Sequence, residues 1–167
     1  QVTDGDVTTT ETVTVTITGS NDGPVASAET VAGGEDAGTL TGNLDATDID
    51  GDDLTFSLQG DGAGQFGTLS VNPDGSYSFD IAEAAQGLDD GESAVETFTY
   101  EVTDGDVTTT ETVTVTITGS NDGPVASAET VAGGEDAGTL TGNLDATDID
   151  GDDLTFSLQG DGEGQFG

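Results

Sequence analysis

Residues 112 to 124 read Thr112-Val113-Thr114-Val115-Thr116-Ile117-Thr118-Gly119-Ser120-Asn121-Asp122-Gly123-Pro124, and this stretch decides the fold. Its first seven residues alternate Thr with Val or Ile, the period-two pattern of a strand with one apolar face. Pro124 has no amide hydrogen for a ladder and fixes φ, so the strand cannot simply continue through it. A strand end, the oxygen-bearing side chains of Asn121 and Asp122, and a proline make a short, stiff joint. Gly19 to Pro24 repeat that joint unchanged, which marks it as a seam between modules.

Laid over residues 101–167, residues 1–67 differ at two positions, Gln1 against Glu101 and Ala63 against Glu163, so the period is 100 residues. A unit of about 100 residues can bury a core of its own, whereas repeats of roughly 20–50 residues would mean a solenoid or a propeller. The seams divide the chain into the C-terminal part of a preceding module (1–21), one complete module (22–121) and the N-terminal part of a following module (122–167). The last copy stops before the segment equivalent to Thr68–Tyr100, so its edge is expected to be frayed or covered by a neighbouring chain.

Charge narrows the function further. The chain carries 35 Asp and Glu and no Lys, Arg or His, so no side-chain salt bridge is available. Nucleic acid and anionic membrane surfaces are poor partners for such a surface. At 31% hydrophobic content the bare chain stands near the border of the disordered class, and a cation must come from outside. Cysteine is absent, so no disulfide framework reinforces a light core. No stretch approaches about 20 apolar residues, so no membrane insertion is expected in this segment.

Taken in order, Val25–Val31 reads as a first strand broken by Gly33 to Gly38, and Thr39–Ala46 as an extended run. Leu54–Leu58 alternates cleanly after an acidic loop. Phe66–Val71 and Ser76–Ile81 flank Asn72-Pro73-Asp74-Gly75, a hairpin turn with Pro presetting φ and Gly supplying φ > 0. Ala82–Gln86 has room for one helical turn, and Phe98, Tyr100 and Val102 alternate before Asp104-Gly105-Asp106. About seven short strands with regular turns describe an all-β sandwich. Alternation puts Leu40, Leu44, Leu54, Phe56, Leu58, Phe66, Leu69, Val71, Tyr77, Phe79, Ile81, Leu88, Phe98, Tyr100, Val102, Val113, Val115 and Ile117 in its core.

The acidic loops carry the chemistry. Asp48-Ile49-Asp50-Gly51-Asp52 places carboxylates on alternate residues, a form suited to calcium, which takes six to eight oxygens and tolerates sharp glycine turns between them. It is not an EF-hand, because no Glu stands at the twelfth position and no helical period flanks it. A solvated surface that keeps a protein soluble in salt is the competing explanation. Against it, the acids gather at turns near strand ends instead of spreading over the strands.

Asp45-Ala46-Thr47-Asp48-Ile49-Asp50-Gly51, Phe98 to Gly105 and Asn121-Asp122-Gly123-Pro124 together resemble the ordered Ala-x-Asp-x-Asp, Val-x-Asp-Gly and Asn-Asp-x-Pro series of cadherins. Phe66-Gly67-Thr68-Leu69 with Asp74-Gly75-Ser76-Tyr77, then Leu88 to Glu92, is similar to VCBS-type repeats, bacterial cadherin-like modules of large RTX-type adhesins. The resemblance implies tandem Ig-like, Greek-key β-sandwiches in an extended array with interdomain calcium. At the seam 119–124 it implies Glu35, Asp90 and Glu92 as upstream ligands, Asn121 and Asp122 from the linker, and Asp148 and Asp150 from downstream. At 19–24 it implies Asn21, Asp22, Asp48, Asp50 and Asp104. Asp52, Asp53 and Asp106 are additional acids for further ions, and Glu135 repeats Glu35 in the following copy. Gly119 stands where a cadherin linker begins with Asp, which removes one carboxylate.

No catalytic set is expected, since Ser–His, Cys–His and Schiff-base chemistry have no residues to run on. Paired carboxylates of a glycosidase kind would need a cleft, and these acids sit on turns. The Thr-rich strands suit an ice- or carbohydrate-contacting face, although Thr is also simply a good strand former. The readings that follow are a calcium-rigidified extender of a bacterial surface adhesin, secreted by a type I route, or a calcium-dependent glycan- or partner-binding module. Neighbouring modules are the expected partners, with neighbouring copies in a filament as a third arrangement.

Overall fold

A computed structural model describes residues 1–160; the remainder of the following copy, 161–167, lies outside the described residues. The complete module is built on one long hairpin, β10 (Ser93–Thr103) and β11 (Thr108–Thr118), in register from Ser93↔Thr118 to Thr103↔Thr108. Its turn is made by Asp104, whose Oδ1 accepts the amides of Asp106 and Val107 at 2.7 Å each, while Gly105 supplies a φ of 102°. This self-bonding Asx turn is why Asp-Gly-Asp reverses the chain here.

Alternation then sorts the two faces. Val113, Val115, Ile117, Tyr100 and Val102 are fully buried, and the Thr residues between them point away. β4 (Glu29–Gly34) joins β11 in parallel and β7 (Thr55–Leu58) joins β10 antiparallel, giving a four-stranded sheet in the order β4-β11-β10-β7. The opposing layer contains β5 (Thr39–Asn43), β9 (Ser76–Ile81) and β8 (Gly67–Val71), in the order β5-β9-β8. β3 (Val25–Ala26) pairs with β6 (Ala46–Thr47), which follows β5 along one extended run. Between the layers lie Leu40, Leu69, Tyr77, Phe79 and the buried faces of β10 and β11. The chain is an all-β sandwich.

The expected first strand is two strands. β3 and β4 belong to different sheets, and the chain crosses between them at Ser27 and Ala28, where the Tyr100 hydroxyl donates to the Ser27 carbonyl at 2.7 Å. Nor does Gly33-Gly34 break β4. Gly33 stays in the ladder opposite Ile117 because its missing side chain makes room for Leu40, and the strand ends only at a 3-10 helix, Glu35–Ala37. A second 3-10 helix, Glu83–Gly87, occupies the expected helical turn.

Copies of one sequence behave differently according to their partners. Val13, Val15 and Ile17 are 87%, 75% and 89% exposed, and that segment has no strand, although Val113, Val115 and Ile117 are at 0%. The first copy keeps only the turn between β1 (Val2–Thr3) and β2 (Thr8–Thr9). Among its described residues the following copy keeps only the pair β12 (Val125–Ser127) and β13 (Asp145–Thr147). Strand formation here comes from burial against a partner layer, not from propensity. No described helix is long and apolar enough to cross a membrane.

Candidate metal centre

Strand β11 runs directly into the linker, and the Leu88–Glu92 loop is bonded to its end. Gly119 donates to the Glu92 carbonyl at 2.9 Å, and Gly91 donates to the Gly119 carbonyl at 3.3 Å. A Cβ at position 119 would collide with the carbonyl oxygens of Leu88 and Asp89. That close approach explains why glycine stands where an Asp side chain would otherwise be offered.

Ser120 next meets Glu35. The 3-10 helix places this carboxylate at 1% exposure, with its Oε1 accepting from the Ser120 amide at 2.6 Å and from Oγ at 3.0 Å. Gln86 Nε2 fixes the Glu35 carbonyl at 3.0 Å. Glu35 Oε2 is buried with no donor. The Ser120 hydroxyl also lies 3.3 Å from Asp36 Oδ2, bringing a second acid to the same place.

From the downstream side, Asp150 Oδ2 accepts the Asp122 amide at 2.6 Å, and Asp148 Oδ1 accepts the Asp150 amide at 3.1 Å. Asp150 Oδ1 is buried and without a donor. A Cβ at Gly87 would lie 3.3 Å from the Ile149 carbonyl, so the second 3-10 helix of one module abuts this loop of the next. The field across the seam is uniformly negative. Asp122 is held above the usual carboxylate range by loss of water, then by Asp36, Asp150, Glu35 and Asp148. Asp89 is raised by loss of water, then by Glu92, Asp152, Asp150 and Asp148.

The seam at 19–24 repeats the downstream half and adds the β10–β11 turn. Asp50 Oδ2 accepts the Asp22 amide at 2.7 Å, while Asp48 Oδ1 accepts from Asp50 at 2.8 Å and Gly51 at 3.1 Å. Asp48 Oδ2 has no donor. One carboxylate oxygen each of Asp48, Asp50 and Asp52 lies within 4.8 Å of the others. Asn21 Nδ2 donates to Asp104 Oδ2 at 2.9 Å. The amide of Val107, the Asn21 side chain and the amide of Asp106 hold Asp104 below the usual range. Asp52 is pushed up by loss of water and then by Asp48, Asp50, Asp104 and Asp106.

The structure thus gathers Glu35, Glu92, Asp122, Asp148 and Asp150 at one seam, and Asn21, Asp22, Asp48, Asp50, Asp52, Asp104 and Asp106 at the other. Three residues stand differently. Asp89, one residue earlier than the expected Asp90, feels the downstream acids, because Gly119 packs against its carbonyl and fixes the loop. Asn121 bonds the carbonyl of its own neighbour Asp122 at 2.9 Å, whereas its counterpart Asn21 bonds Asp104. Glu135, the counterpart of Glu35 in the following copy, is exposed. Sequence reasoning missed Asp36, Asp89 and Ser120; the acidic Glu35-Asp36 and Asp89-Asp90 pairs were its only signal.

Chemically, each seam is an all-oxygen donor set in which buried carboxylate oxygens lack any donor, and the chain has no cationic side chain to supply one. Leaving such an oxygen unpaired costs about 1–3 kcal/mol, more when charged. A hard divalent cation fits this donor set.

Comparison with known proteins agrees with the fold. Human protocadherin-24 EC1-2 superposes with a TM-score of 0.50 at 24% identity, covering 78% of this chain and 63% of that one. The calcium-binding lectin RapA2 of Rhizobium johnstonii is 36% identical over 73 residues, 43% of this chain. That match spans only 25% of the lectin's own length. Residues 21–119 match the bacterial cadherin-like domain, and the chain belongs to that family.

Proposed function

We propose that this chain is part of a calcium-rigidified extender of a bacterial surface adhesin. The observation that carries the reading is the placement of donorless carboxylate oxygens on both sides of one linker, Glu35 Oε2 upstream and Asp150 Oδ1 downstream. Glu35, Asp36, Asp89, Glu92, Asp122, Asp148 and Asp150 would hold calcium at the seam 119–124. Asp48, Asp50, Asp52, Asp104 and Asp106 would do so at 19–24. The bound ion supplies positive charge and a coordination shell that ties the modules together. The protein's own contribution is to preset that shell: Ser120 fixes Glu35, and the Asp122 and Asp22 amides fix Asp150 and Asp50.

Binding only to the folded, aligned state converts ion affinity into stability and stiffness. The VCBS-type and RTX assignment, export by a type I route and a place at the bacterial surface belong to the same proposal, as does the absence of enzymatic activity. A second reading, a glycan-binding module, is favoured by the lectin name of one relative. Small-angle scattering and calorimetric melting of the chain in calcium, magnesium, sodium and chelator at fixed ionic strength test the proposal. Calcium alone should lengthen the particle and raise its melting temperature; an equal effect from sodium refutes specific ion sites.

A further inference from the structure

The outward face of the four-stranded sheet is nearly free of charge in a chain whose net charge is -35. Every outward residue of β11, at alternate positions from Thr108 to Thr118, is Thr. Across the ladder stand Thr97 and Thr99 opposite Thr114 and Thr112, with Thr30 of β4 beside Thr114 and Thr55 of β7 beside Thr103. Val95 adds an apolar residue that is 62% exposed. One charge lies on this face, Glu101, and Gln59 Nε2 donates to it at 3.0 Å. With 21% of residues charged overall, this face stands apart in kind from the acidic loops.

We propose that this threonine face is where a second copy of the chain docks side by side. At the acidic loops two copies meet carboxylate against carboxylate with no basic residue to intervene; here they meet hydroxyl and methyl groups. The outward face of β5-β9-β8 is also poor in charge, with Asp80 its one acid, but its strands are shorter and offer less area. The size of the face sets the strength. Strands about 4.8 Å apart, rising about 3.4 Å per residue, give roughly 500 Å² per module. Covering both partners hides on the order of 1,000 Å², the threshold of a specific interface. Contact between single modules is therefore weak, and it strengthens where several repeats of two oppositely running arrays align side by side. A two-fold, antiparallel arrangement centred between the Thr97 and Thr99 rows sets the two Glu101 carboxylates about 20 Å apart, beyond the Debye length of about 8 Å at physiological salt. The docking does not rest on the seam ions.

The test is sedimentation equilibrium of the full chain up to millimolar concentration in saturating calcium. The expected result is weak dimerisation whose association constant rises at least about tenfold from low to high sodium chloride, as screening relieves the like charge. Thr97→Glu and Thr114→Glu, each checked for an unchanged melting temperature, should reduce it by about tenfold or more. Glu101→Gln should strengthen it at low sodium chloride, where the Debye length of about 30 Å spans the pair, a gain that misfolding does not produce. A chain monomeric throughout, or dimerisation untouched by these variants, overturns the proposal. Retention of a monomeric chain on immobilised dextran, lost in Thr114→Glu, overturns it in favour of a glycan.

Discussion

Substituting Glu35→Gln should raise stability without calcium and leave it nearly unchanged with calcium. Glu35 is 1% exposed, and its Oε1 already takes both Ser120 donors while Oε2 takes none. A Gln keeps the accepting oxygen and removes the unpaired charge. Relief of about 1.5 kcal/mol, within the range for an unsatisfied buried group, corresponds to a melting rise of roughly 6–12 °C for a module of this size. In calcium the same change weakens a ligand. A tenfold loss of affinity is about 1.4 kcal/mol, which by linkage cancels the gain. Scanning calorimetry should therefore find the variant melting well above the parent in chelator and close to it in saturating calcium. An equal drop in both conditions would show that Glu35 only caps the Ser120 turn, and the ion-site reasoning would fail.

Acidification provides another test. The raised carboxyls of Asp52, Asp89 and Asp122 contribute stability that is full below their ordinary value of 3.8 and drains as pH rises through their higher values in the fold. Asp104, held low, opposes them only as pH falls below 3.8. In chelator the melting temperature should thus rise as pH falls towards 3.8, and in calcium it should fall as protons compete for ligands; identical slopes would contradict this. Gly119→Ala should cost about 1–3 kcal/mol by overpacking against the Leu88 and Asp89 carbonyls, seen as a lower melting temperature that excess calcium does not restore. Tyr100→Phe removes the 2.7 Å bond to the Ser27 carbonyl and should lower melting by about 1 kcal/mol equivalent while leaving the calcium midpoint unchanged in a titration.

The core was legible because strand alternation assigns a side chain to a face whatever the strand pairs with. Each apolar residue chosen that way lies in the core or against it. Pairing was less legible. Thr12–Thr18 and Thr112–Thr118 have one sequence and two outcomes, so the partner layer, and the parallel union of β4 with β11, could not be read from the strand itself. Small residues hid as well. Buried Ala85 and Ala94 carry no periodic signal strong enough to stand out. Glu96 escaped notice entirely, although its Oε1 accepts the amides of Gln65 and Phe66 and holds that loop. At the seams the motifs gave the carboxylates, but that Asp89 faces the downstream acids depended on the packing of Gly119.

The parallel pairing of β4 with β11 bears on mechanics. Tension applied along the chain enters the complete module near Val25 and leaves through β11 at Thr118. Its line of pull runs along the six residue pairs from Glu29↔Val113 to Gly34↔Thr118. Those hydrogen bonds are loaded in shear and must give way together, not one at a time as in a peeled hairpin. Resistance to pulling is then set by the rate of crossing that single barrier. A module built this way stays intact under sudden load even where its equilibrium stability is modest.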